Sequence, residues 1–147
     1  MNDKPTFDEN SIVEALLGAA EFRLNSEERA VVIKRGDKEF FRFNIRGVNE
    51  DQVKRAQKLS TLNRGRRDEQ TDWGRYSAHL IYFATVDDDK KRLWDNRSAW
   101  QALNAVNGAD VVFKCLMPAE RAKIVEVIEK LSGYDDSDID IDAHLKN

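Results

Sequence analysis

Side chains that could act as a nucleophile or a general base are few in this sequence and lie far apart. His79 falls in an aromatic helical stretch and His144 lies near the C-terminus. Neither has a Ser or Cys partner at a spacing typical of a nucleophile and its base. Cys115 lies in the most apolar segment, which favours a buried, inert thiol over a reactive one. We therefore predict no catalytic residues and a protein that is not an enzyme.

Acidic runs are the features that most resemble a metal site. Residues 138–142 alternate Asp with Ile, as oxygen ligands alternate in a calcium loop. The sixth residue counted from Asp138 is Ala143, where such a loop requires Gly, so we interpret the run as part of an acidic tail. The run Asp87–Asp89 is interpreted as a helix terminus, and the glycines stand too far apart for a phosphate-binding loop. We predict neither a metal nor a cofactor.

Arg64, Arg66 and Arg67 form the cluster that could neutralise the phosphates of a nucleic acid. They lie in a polar segment without apolar residues, which predicts a solvated loop. Asp68 and Glu69 follow at once, and no recognition-helix or RNA-platform pattern flanks the segment. A solvated loop without a partner and a protein-docking loop both remain open. A small nucleic-acid-binding or regulatory protein acting through this loop is the alternative function.

The composition excludes several classes of protein. A chain of 147 residues with 41% hydrophobic and 35% charged residues fits one soluble domain with a core of its own. A net charge of −3 does not suit a general binder of polyanions, and a single cysteine cannot form an internal disulfide. No apolar run is long enough to span a bilayer, and the N-terminus has no signal-peptide pattern. We expect a cytoplasmic protein.

Hydrophobic periodicity predicts a helix at 11–22, opened by a capping box at Ser11, and then a β-hairpin at about 30–46. In its second strand Phe41, Phe43 and Ile45 alternate with polar residues, and Gly36 in the intervening segment suits a tight turn. The expected fold class is α+β: a mostly helical single domain with one N-terminal hairpin. We assign residues 1–26 to an N-terminal segment with one short helix, 27–134 to the hairpin and helical domain, and 135–147 to a disordered acidic tail.

Five further helices are expected after the hairpin. A capping box at Asn49 opens the first, with Val53, Ala56, Leu59 and Leu62 on one side, and Asp72 caps the next. Gly108 suits a C-terminal cap, and Pro118 suits the first turn of the last helix. That helix is expected to bury Ala122, Val125, Ile128 and Leu131, with Gly133 at its end. The last four helices are predicted at 73–85, 96–106, 109–117 and 118–131, with residues 87–92 as a connector.

The order of these elements resembles the small tail assembly chaperones of long-tailed bacteriophages and defective prophages. The similarity covers roughly residues 30–136, and five ordered features carry it. They are the strand Phe40-Phe41-Arg42-Phe43-Asn44-Ile45-Arg46, the helix starts Asn49-Glu50-Asp51-Gln52, Asp72-Trp73-Gly74-Arg75-Tyr76-Ser77-Ala78-His79-Leu80 and Gly108-Ala109-Asp110, and the ending Gly133-Tyr134-Asp135. The chain lacks the proline expected near residues 85–88, and residues 1–26 match no feature of the family.

The resemblance implies a non-enzymatic protein that coats the tape measure protein during assembly, helps tail-tube subunits polymerise around it, and is absent from the mature virion. A client with apolar helical stripes requires an apolar groove with a polar rim. An open hairpin edge would also allow homo-oligomers. The chain itself carries two aromatic stripes at helical spacing, Trp73/Tyr76/Leu80 and Trp100/Leu103, which are also typical of a domain core. The candidate partner-binding residues are Trp73, Tyr76, Leu80, Trp100, Leu103, Arg64, Arg66 and Arg67.

Overall fold

The computed structural model describes residues 8–24 and 27–134, which form a mostly helical α+β structure with one principal hairpin. This confirms the predicted fold class. The predicted acidic tail, including the run at 138–142 and His144, lies outside the described residues. The elements in order are α1 (Glu9–Leu24), β1 (Arg29–Arg35), β2 (Lys38–Ile45), α2 (Glu50–Leu59), β3 (Thr61–Leu62), β4 (Gln70–Thr71), α3 (Trp73–Ala84), α4 (Asp87–Asp89) with a π-helical turn (Lys90–Trp94), α5 (Arg97–Leu103), α6 (Gly108–Cys115) and α7 (Pro118–Leu131).

The hairpin forms as its sequence predicts. β1 pairs antiparallel with β2, with Val31 opposite Phe43, and Gly36 takes the positive φ of 65° that the turn requires. Phe43 and Ile45 are buried on the inner face. The free edge of β2 is partly closed by the end of α3, because the Arg46 amide donates to the Ala84 carbonyl over 2.9 Å.

Helix α3 is the centre of the helical part and packs against α2, α6 and α7. Its N-cap is Asp72, whose side chain accepts a hydrogen bond from the Arg75 amide, as predicted. The predicted capping box at Asn49 is also present, since Asn49 and Gln52 exchange two hydrogen bonds of 2.8 and 2.9 Å. The buried hydrophobic side chains are Ile33, Phe43, Ile45, Val48, Ala56, Ala78, Leu80, Ile81, Ala84, Trp94, Ala109, Val111, Val112, Leu116, Ile124 and Ile128.

Several predicted faces and boundaries are wrong. Helix α1 begins at Glu9 rather than at residue 11, because Asp8 supplies the cap and accepts a hydrogen bond from the Ser11 amide. Leu59 and Leu62 are exposed, and Leu62 belongs to the short β3–β4 ladder, which the sequence analysis did not predict. In α7 the buried side chains are Arg121, Ile124 and Ile128, whereas Ala122 is exposed. The face of α7 that meets α3 is therefore displaced from the predicted one.

The region from 87 to 108 departs most from expectation. The predicted connector is helical, and Trp94 at its end is 1% exposed. Helix α5 ends at Leu103 because Asn104 adopts a left-handed φ of 54°, which leaves Val106 outside the helix and 77% exposed. Gly108 is not a cap: it is buried in the first turn of α6, against Tyr82 and Asp95.

Candidate partner-binding groove

An open apolar groove of about 260 Å³ lies between α2, α3 and the C-terminal end of α7. Glu129 and Ser132 contribute polar groups to its lining. The remaining lining residues are aliphatic or aromatic: Val48, Val53, Tyr76, Leu80, Ile128 and Tyr134. Such a concave apolar surface with a few polar groups is typical of a site that receives the side chains of a partner.

Local backbone features place both ends of the groove. The Val48 amide donates to Ser132 Oγ over 2.8 Å, which fixes the segment before α2 against the end of α7. This approach requires Gly47, because a Cβ there would lie 2.7 Å from the Leu131 carbonyl oxygen. At the end of α7, Gly133 has φ 81°, and the Tyr134 amide donates to the Glu129 carbonyl over 3.0 Å. This left-handed turn reverses the chain and brings Tyr134 to the groove.

Trp73 extends the apolar surface beyond the groove. Its ring packs edge-to-face on Tyr76 at a centroid distance of 5.4 Å, and its side chain is 66% exposed. Burial, with the nearby charge of Glu129 adding to it, raises the pKa of the Tyr76 hydroxyl. The hydroxyl therefore stays protonated and available as a donor at neutral pH. Trp and Tyr are both enriched among the residues that anchor protein interfaces, so the exposed indole and the half-buried phenol suit such a role.

A charged cavity of about 530 Å³ adjoins the groove and shares Val48, Ser132 and Tyr134 with it. Arg46 and Lys90 bring positive charge to its lining, and Asp87 brings negative charge. Lys90 lies 3.9 Å from the Asp87 carboxylate. The apolar groove is therefore bordered on this side by a surface with both signs of charge, the arrangement expected of an interface rim.

The structure separates the predicted aromatic stripes. Tyr76 and Leu80 both line the groove, Leu80 as part of its buried floor, and Trp73 continues it. Trp100 and Leu103 lie on α5 and do not line it. The indole of Trp100 donates to the Trp94 carbonyl over 2.6 Å, so it serves the packing of α5. Val53 and Ile128 were predicted only as parts of helix faces. The groove residues that were not assigned from the sequence are Val48, Glu129, Ser132 and Tyr134.

Arg64, Arg66 and Arg67 lie in the exposed loop that the β3–β4 pairing closes at its base. The neighbouring acidic side chains turn into the loop: Asp68 accepts from the Asn63 amide group over 3.0 Å, and Glu69 accepts from the Gly65 amide over 2.7 Å. Among the residues the structure describes, none of the three arginines forms an ion pair. The loop therefore presents positive charge at its surface.

Neither His79 nor Cys115 has the setting of a catalytic group. Burial, reinforced by the charges of Arg75 and Arg55, lowers the pKa of His79, and its ring lies 6.4 Å from that of Phe83. Burial raises the pKa of the Cys115 thiol, which keeps it protonated at neutral pH. Within 8–24 and 27–134 no group of three or more His, Cys, Asp or Glu side chains could hold a metal ion. No helix in the same ranges is long and apolar enough to cross a membrane.

Comparison with known proteins identifies one relationship. The family model described as "Phage XkdN-like tail assembly chaperone protein, TAC" matches residues 13–143. The matched range includes most of α1, the hairpin and every residue that lines the groove. No curated protein and no solved structure matches the chain.

Proposed function

Because the chain belongs to the phage XkdN-like tail assembly chaperone family, we propose that it binds the tape measure protein through the groove between α2, α3 and α7. Through that contact it assists assembly of the tail tube, in the bacterial cytoplasm and before the virion is complete. The observation that carries this proposal is the open apolar groove whose surface continues into the exposed ring of Trp73.

The shape and chemistry of the groove suit an amphipathic helix. A volume of about 260 Å³ takes roughly one turn's worth of aliphatic side chains, which such a helix presents at positions i and i+3 or i+4. Tyr76 and Tyr134 lie on the lining, where each can pack a ring on the client and keep a hydroxyl for a polar contact. A long client that presents apolar stripes before assembly aggregates unless those stripes are covered.

The direct test is co-expression with the tape measure protein encoded in the same phage or prophage genome. An affinity tag on the chaperone captures the complex, and its mass is then measured by light scattering. We expect the tape measure protein to be soluble and captured with the chaperone, and insoluble when it is expressed alone. If it stays insoluble and uncaptured, the proposal is wrong. Adding purified tail-tube subunits to the complex then tests whether tube polymerisation depends on it.

Matched variants locate the contact. Tyr134→Asp places a carboxylate on the exposed lining of the groove, and Trp73→Asp places one on the apolar surface that continues it. Both should reduce capture of the tape measure protein at least tenfold. Val106→Asp adds the same charge at a more exposed apolar position that does not line the groove, and capture should be unchanged. Equal capture by all three variants would place the client elsewhere on the surface.

The orientation of charges in the arginine loop supports the alternative, a nucleic-acid-binding or regulatory function. Arg64, Arg66 and Arg67 face solvent while Asp68 and Glu69 bond within the loop. Binding through these arginines should weaken steeply between about 50 and 200 mM salt and disappear when all three are replaced by Ala. Fluorescence anisotropy with labelled DNA and RNA measures both. Affinity that is independent of the arginines would reject this alternative.

A further inference from the structure

Helix α1 is apolar and uncovered. Apart from the half-buried Ser11, every side chain that the structure describes along it is exposed. The exposed fractions of the five large hydrophobic side chains that the structure describes along it range from 46% to 84%. These residues are Ile12, Val13, Leu16, Leu17 and Phe22.

The apolar residues of α1 are not scattered around the helix. At 100° per residue, Leu17, Val13 and Ile12 fall within one mainly apolar arc of roughly 220° that extends to Phe22. Glu9 and Arg23, near the two ends of the helix, also fall within this arc. The remaining arc carries Glu14 and Glu21, seven residues apart and therefore on one side. An apolar stripe of this width is characteristic of a helix that packs against another element. A cover over that stripe would remove its apolar side chains from water.

We propose that the cover is α1 of a second copy of this chain, so that the protein is a dimer held by a symmetric pair of α1 helices. The five large side chains leave on the order of 600 Å² of apolar surface exposed, the upper end of what one patch on a monomer shows. Complete mutual cover of two such faces would bury about 1,200 Å², the lower bound of a specific interface. The area that one copy exposes therefore reaches this bound when both faces are fully covered.

The spacing of the residues suits a helix pair. Val13, Leu17 and Ala20 recur at steps of four and three residues, as do Ile12, Leu16 and Ala19. These two rows lie side by side, which gives a broad seam rather than a single stripe. A small residue in each row, Ala20 in one and Ala19 in the other, allows the two helix backbones to approach closely. Glu14 and Glu21 remain at the solvent side of the pair.

The test is the mass of the full chain by sedimentation equilibrium over a range that reaches on the order of 100 μM. Wild type should show twice the monomer mass of 16.9 kDa. The double variant L16E/L17E should be monomeric over the same range, because the dissociation constant of its dimer should be at least a hundredfold higher than that of the wild type. The control N10E/G18E adds the same charge on the polar arc and should remain a dimer.

Circular dichroism and urea unfolding of each variant exclude a trivial loss of structure, because α1 contributes no side chain to the buried core. A wild type that is monomeric at the highest concentration would overturn the proposal. So would an oligomer that survives L16E/L17E, or one that N10E/G18E disrupts equally. The inference is separable from client binding, since Trp73→Asp should leave the dimer mass unchanged and L16E/L17E leaves the groove intact.

Discussion

Replacing Trp94 by Ala is expected to lower the free energy of unfolding by about 4 kcal/mol. The indole is 1% exposed and lies between the hairpin and the helices. Its ring packs edge-to-face on Phe41 and Phe43, at centroid distances of 5.8 and 5.2 Å, and its Nε1 donates to Thr85 Oγ1 over 2.9 Å. The side chain therefore joins β2 to the end of α3, two elements far apart in the chain.

The magnitude combines three losses. Removing a large buried aromatic side chain costs about 3–5 kcal/mol, a range that already includes the cavity left behind. Each edge-to-face pair contributes roughly 0.5–1.5 kcal/mol within that range, and the hydrogen bond to Thr85 about 1 kcal/mol. Trp94→Phe keeps most of the ring contacts and loses the hydrogen bond, so it should cost about 1–2 kcal/mol.

Urea unfolding followed by circular dichroism measures these differences without relying on tryptophan fluorescence, which each substitution alters. Trp73→Ala is the matched control, because the same side chain is removed from a position that is 66% exposed. It should cost less than about 1 kcal/mol. Equal midpoints for Trp94→Ala and Trp73→Ala, with equal denaturant slopes, would refute the placement of Trp94 in the core.

Two further predictions concern the buried positions Gly108 and Asp110, and Gly18 in α1 serves as an exposed control for the first. Gly108→Ala should lower the free energy of unfolding by about 1–2 kcal/mol despite the higher helix propensity of Ala, because the added Cβ would lie 2.7 Å from Asp95 Oδ1 and would also meet the Tyr82 ring. Gly18→Ala, at an open position of α1, should be neutral or raise helix content by circular dichroism. Burial alone would raise the pKa of Asp110, but its hydrogen bonds from Arg75 and the Val106 amide and the charge of Lys114 lower it below the ordinary value of 3.8. The stability that the ionised carboxylate contributes is therefore present above that value and is lost as pH falls through the lower folded-state pKa. Asp110→Asn should reduce stability at neutral pH and should make the melting temperature fall less steeply as the pH is lowered. An equally steep fall in the two proteins would contradict this prediction.

Features encoded in a few adjacent residues were predictable from the sequence. The hairpin turn at Gly36, the capping box at Asn49, the cap at Asp72 and the first-turn Pro118 are confirmed. Each depends on a backbone conformation or hydrogen bond that neighbouring residues settle among themselves. The family resemblance, which was carried by the order of such short features, is also confirmed. The expectation that residues 1–26 match no feature of the family is wrong, because the match begins at residue 13.

Features that depend on what a helix packs against were not predictable. Arg121 illustrates this: it is buried, and its guanidinium donates to the Leu116 carbonyl over 2.7 Å and to Ser77 Oγ over 3.0 Å. Because hydrophobic periodicity assigns an arginine to solvent, the predicted buried face of α7 was displaced.

The groove was also not predictable from single helices, because it depends on how separate elements pack. Tyr76 and Leu80 were predictable from one helix, whereas Val48 and Tyr134 reach it only through the contact of Gly47 with the end of α7.

The distribution of apolar residues along α3 connects stability with function. Towards its C-terminal end Ile81 and Ala84 are fully buried, while its first residue, Trp73, is largely exposed and Tyr76 is half-buried in the groove. The core therefore uses only part of the apolar surface that the sequence supplies. The excess lies in a concave groove and on a convex helix, α1. Under the two proposals above, the groove would take the stripe of a client helix, and α1 would take a helix of equal width. Because α1 contributes no residue to the groove lining, the proposed dimer would present two grooves. One assembly could then cover two segments of a long client and gain avidity that neither groove has alone. If L16E/L17E weakens capture of a long tape measure protein but not of a single short segment, avidity is the reason; equal weakening of both would mean that α1 itself contacts the client.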